Sequence, residues 1–170
     1  MILETKRLTL RPQDGADAPA LFSILGDEKA MRFWNRPPVT RLAVVEELIR
    51  EQQTAMKDGL CRYWTVTRNG EAIGSIDLSL IQGASAELGF LLRRDCWGLG
   101  LATEAVGTVA AHGFRALHLT RIAAVIQTAN RAAARVLEKN GFRLVEARPA
   151  ELADGRTRDC AFYRRERFLL

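Results

Sequence analysis

Cysteine is scarce in this 170-residue chain: Cys61, Cys96 and Cys160 are the only three. They are too few and too scattered for a disulfide framework or a zinc site. Histidine is scarcer still, and His112 and His118 lie six apart in one helical pattern, off a common face. No bound metal is therefore expected. No run of 18 apolar residues occurs, which argues against a membrane-spanning helix. The opening "MILETKRLTLRP" has no apolar centre of signal-peptide length. Long basic tracts are missing, so no nucleic-acid partner is expected, and there is no internal repeat or low-complexity linker. From these absences a cytoplasmic protein with reduced thiols and no membrane partner is expected.

What is present is ordinary for a soluble domain: 48% apolar residues, 26% charged and a net charge of +5. A chain of this length buries roughly 70% of its unfolded surface, so a core needs no staple. The charge mildly favours anionic ligands and serves solubility equally well.

"RLTLRP" (7–12) alternates as a strand and stops at Pro12. Asp17 is placed to cap a helix through "APALFSILG", which ends near Gly26. Pro37 and Pro38 keep "MRFWNRPPVT" a loop. Thr40 then caps a longer helix, whose Leu42, Val45, Leu48, Ile49, Gln52 and Met56 share one face. "CRYWTVTR" and "EAIGSIDLSLI" flank Asn69-Gly70, a two-residue hairpin signal, and "AELGFLL" adds a third antiparallel strand. "EAVGTVAAHGFRALHL" reads as a helix, "RIAAVIQ" as a strand, and "ANRAAARVLEKNG" as a helix closed by Gly141. "FRLVEARPA" and "DCAFYRRERFLL" are the last strands. The pattern is one α+β domain over residues 1–170.

Between the third strand and the next helix lies "CWGLGLATEA" (96–105). It reads either as a compact connection or as a backbone cradle for an anion. Free amides and a partial positive charge at a helix start suit a phosphate, and glycines let its oxygens come close. No lysine follows Gly98 or Gly100, which excludes the GxxxxGK[ST] loop. Gly98, Gly100 and Thr103 nearly meet GxGxxG, but that fingerprint follows the first strand of a parallel unit. Here three antiparallel strands come first, so a dinucleotide-binding oxidoreductase is disfavoured.

The segment Trp97-Gly98-Leu99-Gly100-Leu101-Ala102, continued by Thr103-Glu104-Ala105, resembles the Q/R-x-x-G-x-G/A pyrophosphate loop of the GNAT acetyltransferase superfamily. The likeness is to its RimJ/RimL-like branch, and Trp97 departs at the first position. "ETKRLTLRP", "MRFWNRPPVT" and "RDCAFYRRER" are similar to other segments of that branch. "NRAAARVLEKNGF" matches its helix at Asn130, Lys139, Gly141 and Phe142, with Ala133 where a serine is usual.

The resemblance implies a mixed, mostly antiparallel sheet, splayed at its centre and flanked by helices, with acetyl-CoA held in the splay. Gly98, Gly100, Ala102 and Thr103 would bind the pyrophosphate, with Leu99 and Leu101 turned away. Leu91 and Leu92 would pair with the pantetheine arm, and the Leu92 backbone would polarise the thioester carbonyl. Arg93, Arg94, Arg131 and Arg135 are candidates for the CoA phosphates or are solvated charges. Asn130 would hold the pantetheine, cap its helix, or both. Glu87, the acid on an apolar strand, is the candidate base, with an outward-facing strand residue as the alternative. Tyr163 is a weak candidate acid, and solvent can serve instead. Phe33, Trp34 and Arg36 would wall the acceptor site. The implied activity is N-acetylation of a primary amine, first a protein N-terminal α-amine of the ribosomal type, then a small amine or aminoglycoside. The net +5 argues mildly against polyamines. The rival is a non-catalytic acyl-CoA sensor, and a homodimer is compatible with either.

Overall fold

A computed structural model describes residues 1–167. The strands are β1 (Leu3–Glu4), β2 (Thr9–Pro12), β3 (Arg62–Arg68), β4 (Glu71–Gln82), β5 (Ser85–Leu92), β6 (Arg121–Gln127), β7 (Arg143–Glu151) and β8 (Thr157–Glu166). The helices are α1 (Ala18–Leu25), α2 (Leu42–Lys57), α3 (Leu101–Arg115) and α4 (Arg131–Lys139). The strands form one sheet, in the order β1-β2-β3-β4-β5-β6-β8-β7. Every neighbouring pair is antiparallel except β5 and β6. The expected mixed α/β architecture is the one observed.

Local chemistry accounts for most element ends. Asn69 and Gly70 take φ of 52° and 82°, the two positive values a tight β3–β4 hairpin needs. β7 tolerates Pro149 because it is an edge strand, paired only with β8. Side chains of α3 and α4 pack on one face of the sheet, with Leu101, Val109 and Leu137 against Leu78, Leu88 and Ile122. A second cluster joins α1 and α2 through Leu21, Ile24, Val45 and Ile49.

Four expectations are corrected. The opening strand is present but starts at Thr9, two residues later than expected, because a turn closed by the Thr5 N–H to Leu8 carbonyl bond of 2.9 Å joins it to β1. Thr40 sits one residue too early to cap α2, where Arg41 holds the N-cap position without a side-chain bond. α3 starts at Leu101, ahead of Glu104, and ends at Arg115. His118 therefore lies beyond the helix with φ of 54°, while His112 packs edge-on against Trp64 at 5.7 Å. The expected last strand, 159–170, runs into residues 168–170, which lie outside the described residues.

Asp17 is the fourth. It precedes α1, but its side chain makes no cap bond there. Its carboxylate, 2% exposed, takes Arg11 at 2.5 and 2.9 Å, the Asp14 amide at 3.0 Å and the Thr65 hydroxyl at 2.6 Å. Asp14 provides the cap, accepting from Ala16 N–H at the start of a 3-10 turn. Burial alone would raise the Asp17 carboxyl, but Arg11, Asp14 and Thr65 outweigh it and hold it below the usual range. A depressed carboxyl stabilises the fold above its unfolded value and stops doing so as pH falls through its folded one. Asp17→Asn is expected to cost about 2–3 kcal/mol at pH 7, discounted because Arg11 is one-third exposed. That deficit should shrink below pH 4 in urea melts; an equal deficit at pH 2.5 would contradict the ion pair.

Candidate active site

β5 and β6 lie side by side for only three residue pairs, Ser85↔Arg121, Ala86↔Ile122 and Glu87↔Ala123. Beyond them β5 stays on β4 as far as Leu92, and β6 stays on β8 as far as Gln127, so the two part. The Arg93 N–H to Ile73 carbonyl bond, 2.8 Å, sets the phase of the β4–β5 ladder. Bonded positions alternate in an antiparallel pair, so Gly89 and Leu91 bond β4 while Phe90 and Leu92 turn their amides toward the gap. The Leu92 carbonyl accepts Trp97 Nε1 at 2.9 Å, which folds the turn back onto the strand end. That bond is the structural role of Trp97 at its divergent position.

The glycine turn meets α3 at the same end of the gap. Gly98 and Gly100 take φ of 73° and 76°, a region that side chains disfavour, and Gly100 is the N-cap of α3. No side chain caps the helix, so the first-turn amides of Leu101, Ala102 and Thr103 remain donors. Leu101 is buried in the core and Leu99 is exposed. Asn140 Nδ2 donates to the Thr103 carbonyl at 3.1 Å and ties α4 to this turn.

Arg7 was not a sequence candidate. Its Nη1 donates to the Leu99 carbonyl at 2.8 Å and its Nε to Glu104 Oε2 at 2.7 Å. The Thr5 hydroxyl also donates to Glu104. Burial pushes the Glu104 carboxyl up, but Thr5 and Arg7 more than reverse this, so a charged acid beside the cradle is neutralised by a partner. Only the folded hairpin of the first residues brings Arg7 here, and its strand position in the sequence gives no sign of it. Arg93, by contrast, binds Glu71 at 2.5 Å and Asp95 at 2.7 Å, and Arg94 binds Asp27 at 2.5 Å. Arg131 and Arg135 are exposed on α4.

On the face of the sheet beneath α1 and α2 lies a cavity of about 430 Å³, within the range of small-molecule sites. It brings together Glu87, Leu91, Asn130 and Ala133 with Phe33, Trp34 and Arg36 from the loop. Asn130 Oδ1 caps α4 by accepting from Ala133 N–H at 3.1 Å, so the cap role is real and its amide Nδ2 stays available. Tyr163 is elsewhere: it is packed in the α3/α4 core and donates to Glu138 Oε1 at 3.0 Å.

The cavity floor holds a residue that sequence reasoning missed. Asp77 lies mid-strand on β4, opposite Tyr63 on β3 and Gly89 on β5. A side chain at Gly89 would start 2.6 Å from Asp77 Oδ1, so the missing Cβ is what gives the carboxylate room. The signal was available as the lone acid in "SIDLSLI", but the register that pairs it with a glycine was not. Burial, opposed by Ser79 and reinforced by Glu87, pushes Asp77 up to about 7. Burial raises Glu87 as well. Among the described residues no group of metal-ligand type clusters in threes, and no helix is long and apolar enough to cross a membrane.

A carboxyl raised by folding costs stability as pH climbs from its unfolded value to its folded one. Asp77→Asn should therefore gain stability over the parent between pH 4 and 7 and hold that gain at pH 8, in urea midpoints. No gain at pH 8 would mean that a cation compensates the acid.

The model of the acetyltransferase (GNAT) domain family matches residues 7–143. An uncharacterised N-acetyltransferase of Bacillus subtilis, YoaA, is 31% identical over 146 residues, covering 84% of this chain and 82% of the relative. The solved RimL ribosomal L7/L12 alpha-N-protein acetyltransferase in complex with coenzyme A superposes with a TM-score of 0.90 at 21% identity, over 98% of each chain. Spermidine N-acetyltransferase from Vibrio cholerae, in complex with CoA and spermine, gives 0.83 at 22%, over 95% of this chain and 96% of that one. The parted strands, the glycine cradle and these likenesses agree: the chain belongs to the GNAT family and is an acetyl-CoA-dependent N-acetyltransferase.

Proposed function

We propose that this chain acetylates a primary amine entering the cavity beneath α1 and α2, in the cytoplasm, with Glu87 as proton acceptor. The observation that carries the reading is the meeting of that cavity with the β5/β6 gap at Glu87, the last paired residue before the strands part. Acetyl-CoA fits the features around the gap and supplies an activated acyl thioester. The amides of Leu101, Ala102 and Thr103, the open face of Gly98 and the Gly100 backbone, with Arg7 against it, would hold its diphosphate. The Phe90 and Leu92 amides would pair with the pantetheine arm, and one of them would donate to the thioester oxygen. Asn130 Nδ2 would hold the arm from the α4 side.

Glu87 takes a proton from the attacking nitrogen, directly or through one water, as the new C–N bond forms and the C–S bond breaks. Tyr163 is occupied by Glu138, so the departing sulfur is protonated by solvent. Phe33 and Trp34 wall the acceptor from bulk water. A protein α-amine is the acceptor favoured by the likeness to the L7/L12 enzyme. A small amine is the second reading, favoured by the modest volume of the cavity and by the likeness to the spermidine enzyme.

Glu87→Gln tests the base. The free carboxylate is the working form, so kcat/KM should rise with pH through the Glu87 value, which burial places above the ordinary glutamate range. The variant should lose about 10²–10³-fold in kcat/KM and lose that rising limb. Its CoA affinity, by calorimetry, should stay within about twofold, since the change is remote from the diphosphate cradle. Unchanged turnover across the pH range would remove Glu87 from the chemistry. CoA binding without thiol release from any amine would favour the non-catalytic sensor.

A further inference from the structure

Asp77 takes no part in the chemistry above, yet it is a deeply buried acid of the cavity with no cation beside it among the described residues. It is 8% exposed and lines the floor. Ser79 lends it hydrogen-bond support, but no ion pair among the described residues includes it. A buried carboxylate is kept charged by a partner cation, and this one has none among the described residues. The surrounding side chains do not offer one. Gln13 donates to Gln52 at 2.5 Å and accepts from Ser75 at 3.2 Å, a run of neutral groups. Among the described residues Arg36 is the only cation lining the cavity, and it pairs with neither acid.

The placement of Asp77 is as informative as its isolation. Its carboxylate leans over Gly89, toward the strand that carries Glu87 two residues away. Diagonal neighbours on adjacent strands stand roughly 7–8 Å apart. Two acids thus share one floor at a separation that an extended four-carbon chain spans.

Resting on the acetyl-transfer reading above, we propose that Asp77 holds a second ammonium of the acceptor while Glu87 serves the nitrogen that is acetylated. Of the two acceptor readings above, Asp77 selects the second, the small amine, and within it a short aliphatic diamine over a monoamine. The overall charge of +5, which argues mildly against polyamines, is outweighed at this range. Surface charges beyond about 10 Å are screened by salt, whereas an acid inside the cavity acts at contact. Asp77 is a specificity residue, and the bond-making step is unchanged by it.

Thiol release from acetyl-CoA, measured with 1,4-diaminobutane, n-butylamine and an unblocked N-terminal peptide, tests the assignment. The parent protein should prefer the diamine over n-butylamine by at least tenfold in kcat/KM, through KM. In Asp77→Asn that ratio should collapse, with the diamine KM raised roughly tenfold to a hundredfold, the range of one hydrogen bond to a charged group. Gly89→Ala, which keeps the charge but crowds Oδ1, should move the ratio the same way by less. Equal use of the two amines by the parent would overturn the Asp77 assignment and leave acetyl transfer standing. So would turnover of the peptide alone, or variants that slow both amines by one factor. No thiol release from any of the three would overturn both readings together.

Discussion

Backbone amides must find partners, and the arrangement of this protein turns on a place where they do not. After Glu87 and Ala123 the two central strands stop bonding each other, each retained by its outer neighbour. The Phe90 and Leu92 amides are left facing a gap in the middle of an otherwise paired sheet. Unpaired groups at such a depth are costly, and a ligand with its own amides relieves that cost by completing the ladder. The pantetheine arm of CoA has that chemistry. The same discontinuity opens the cavity on the α1/α2 face, so one break in pairing creates both the donor slot and its access to the acceptor.

The turn that follows is held from outside rather than by its own residues. Arg7, delivered by the β1–β2 hairpin, bridges the Leu99 carbonyl and Glu104, while Asn140 fixes the Thr103 carbonyl from α4. Trp97 pins the turn to the end of β5. With these bonds made elsewhere, the first-turn amides of α3 are fixed in position and unspent. Such preorganisation lowers the ordering cost of binding a flexible diphosphate.

Much of this was legible in residue order. Asn69-Gly70 set a hairpin, the paired glycines marked the turn into α3, and Asn130 marked the start of α4. Glu87 stood out as an acid on an apolar strand and lies where the strands part. Other features needed three-dimensional register. Asp77 looks like any alternating strand residue until Gly89 is placed opposite it, and Arg7 looks like a strand-edge cation until Glu104 arrives 97 residues later. Asp17 reads as a cap because Asp is a cap former, but Arg11 and Thr65 compete for it from the neighbouring strands. Arg93 reads as a phosphate ligand until Glu71 and Asp95 take its charge. In each case the local preference was sound and a long-range partner decided the outcome.

The parted strands as the donor slot are open to one direct measurement, amide hydrogen exchange by NMR with and without coenzyme A. Protection should appear at Phe90 and Leu92 on β5 and at Leu101, Ala102 and Thr103 on α3, and not at Gly89 or Leu91, which already bond β4. Saturating coenzyme A that left the Phe90 and Leu92 amides exchanging at their free rate would contradict the account.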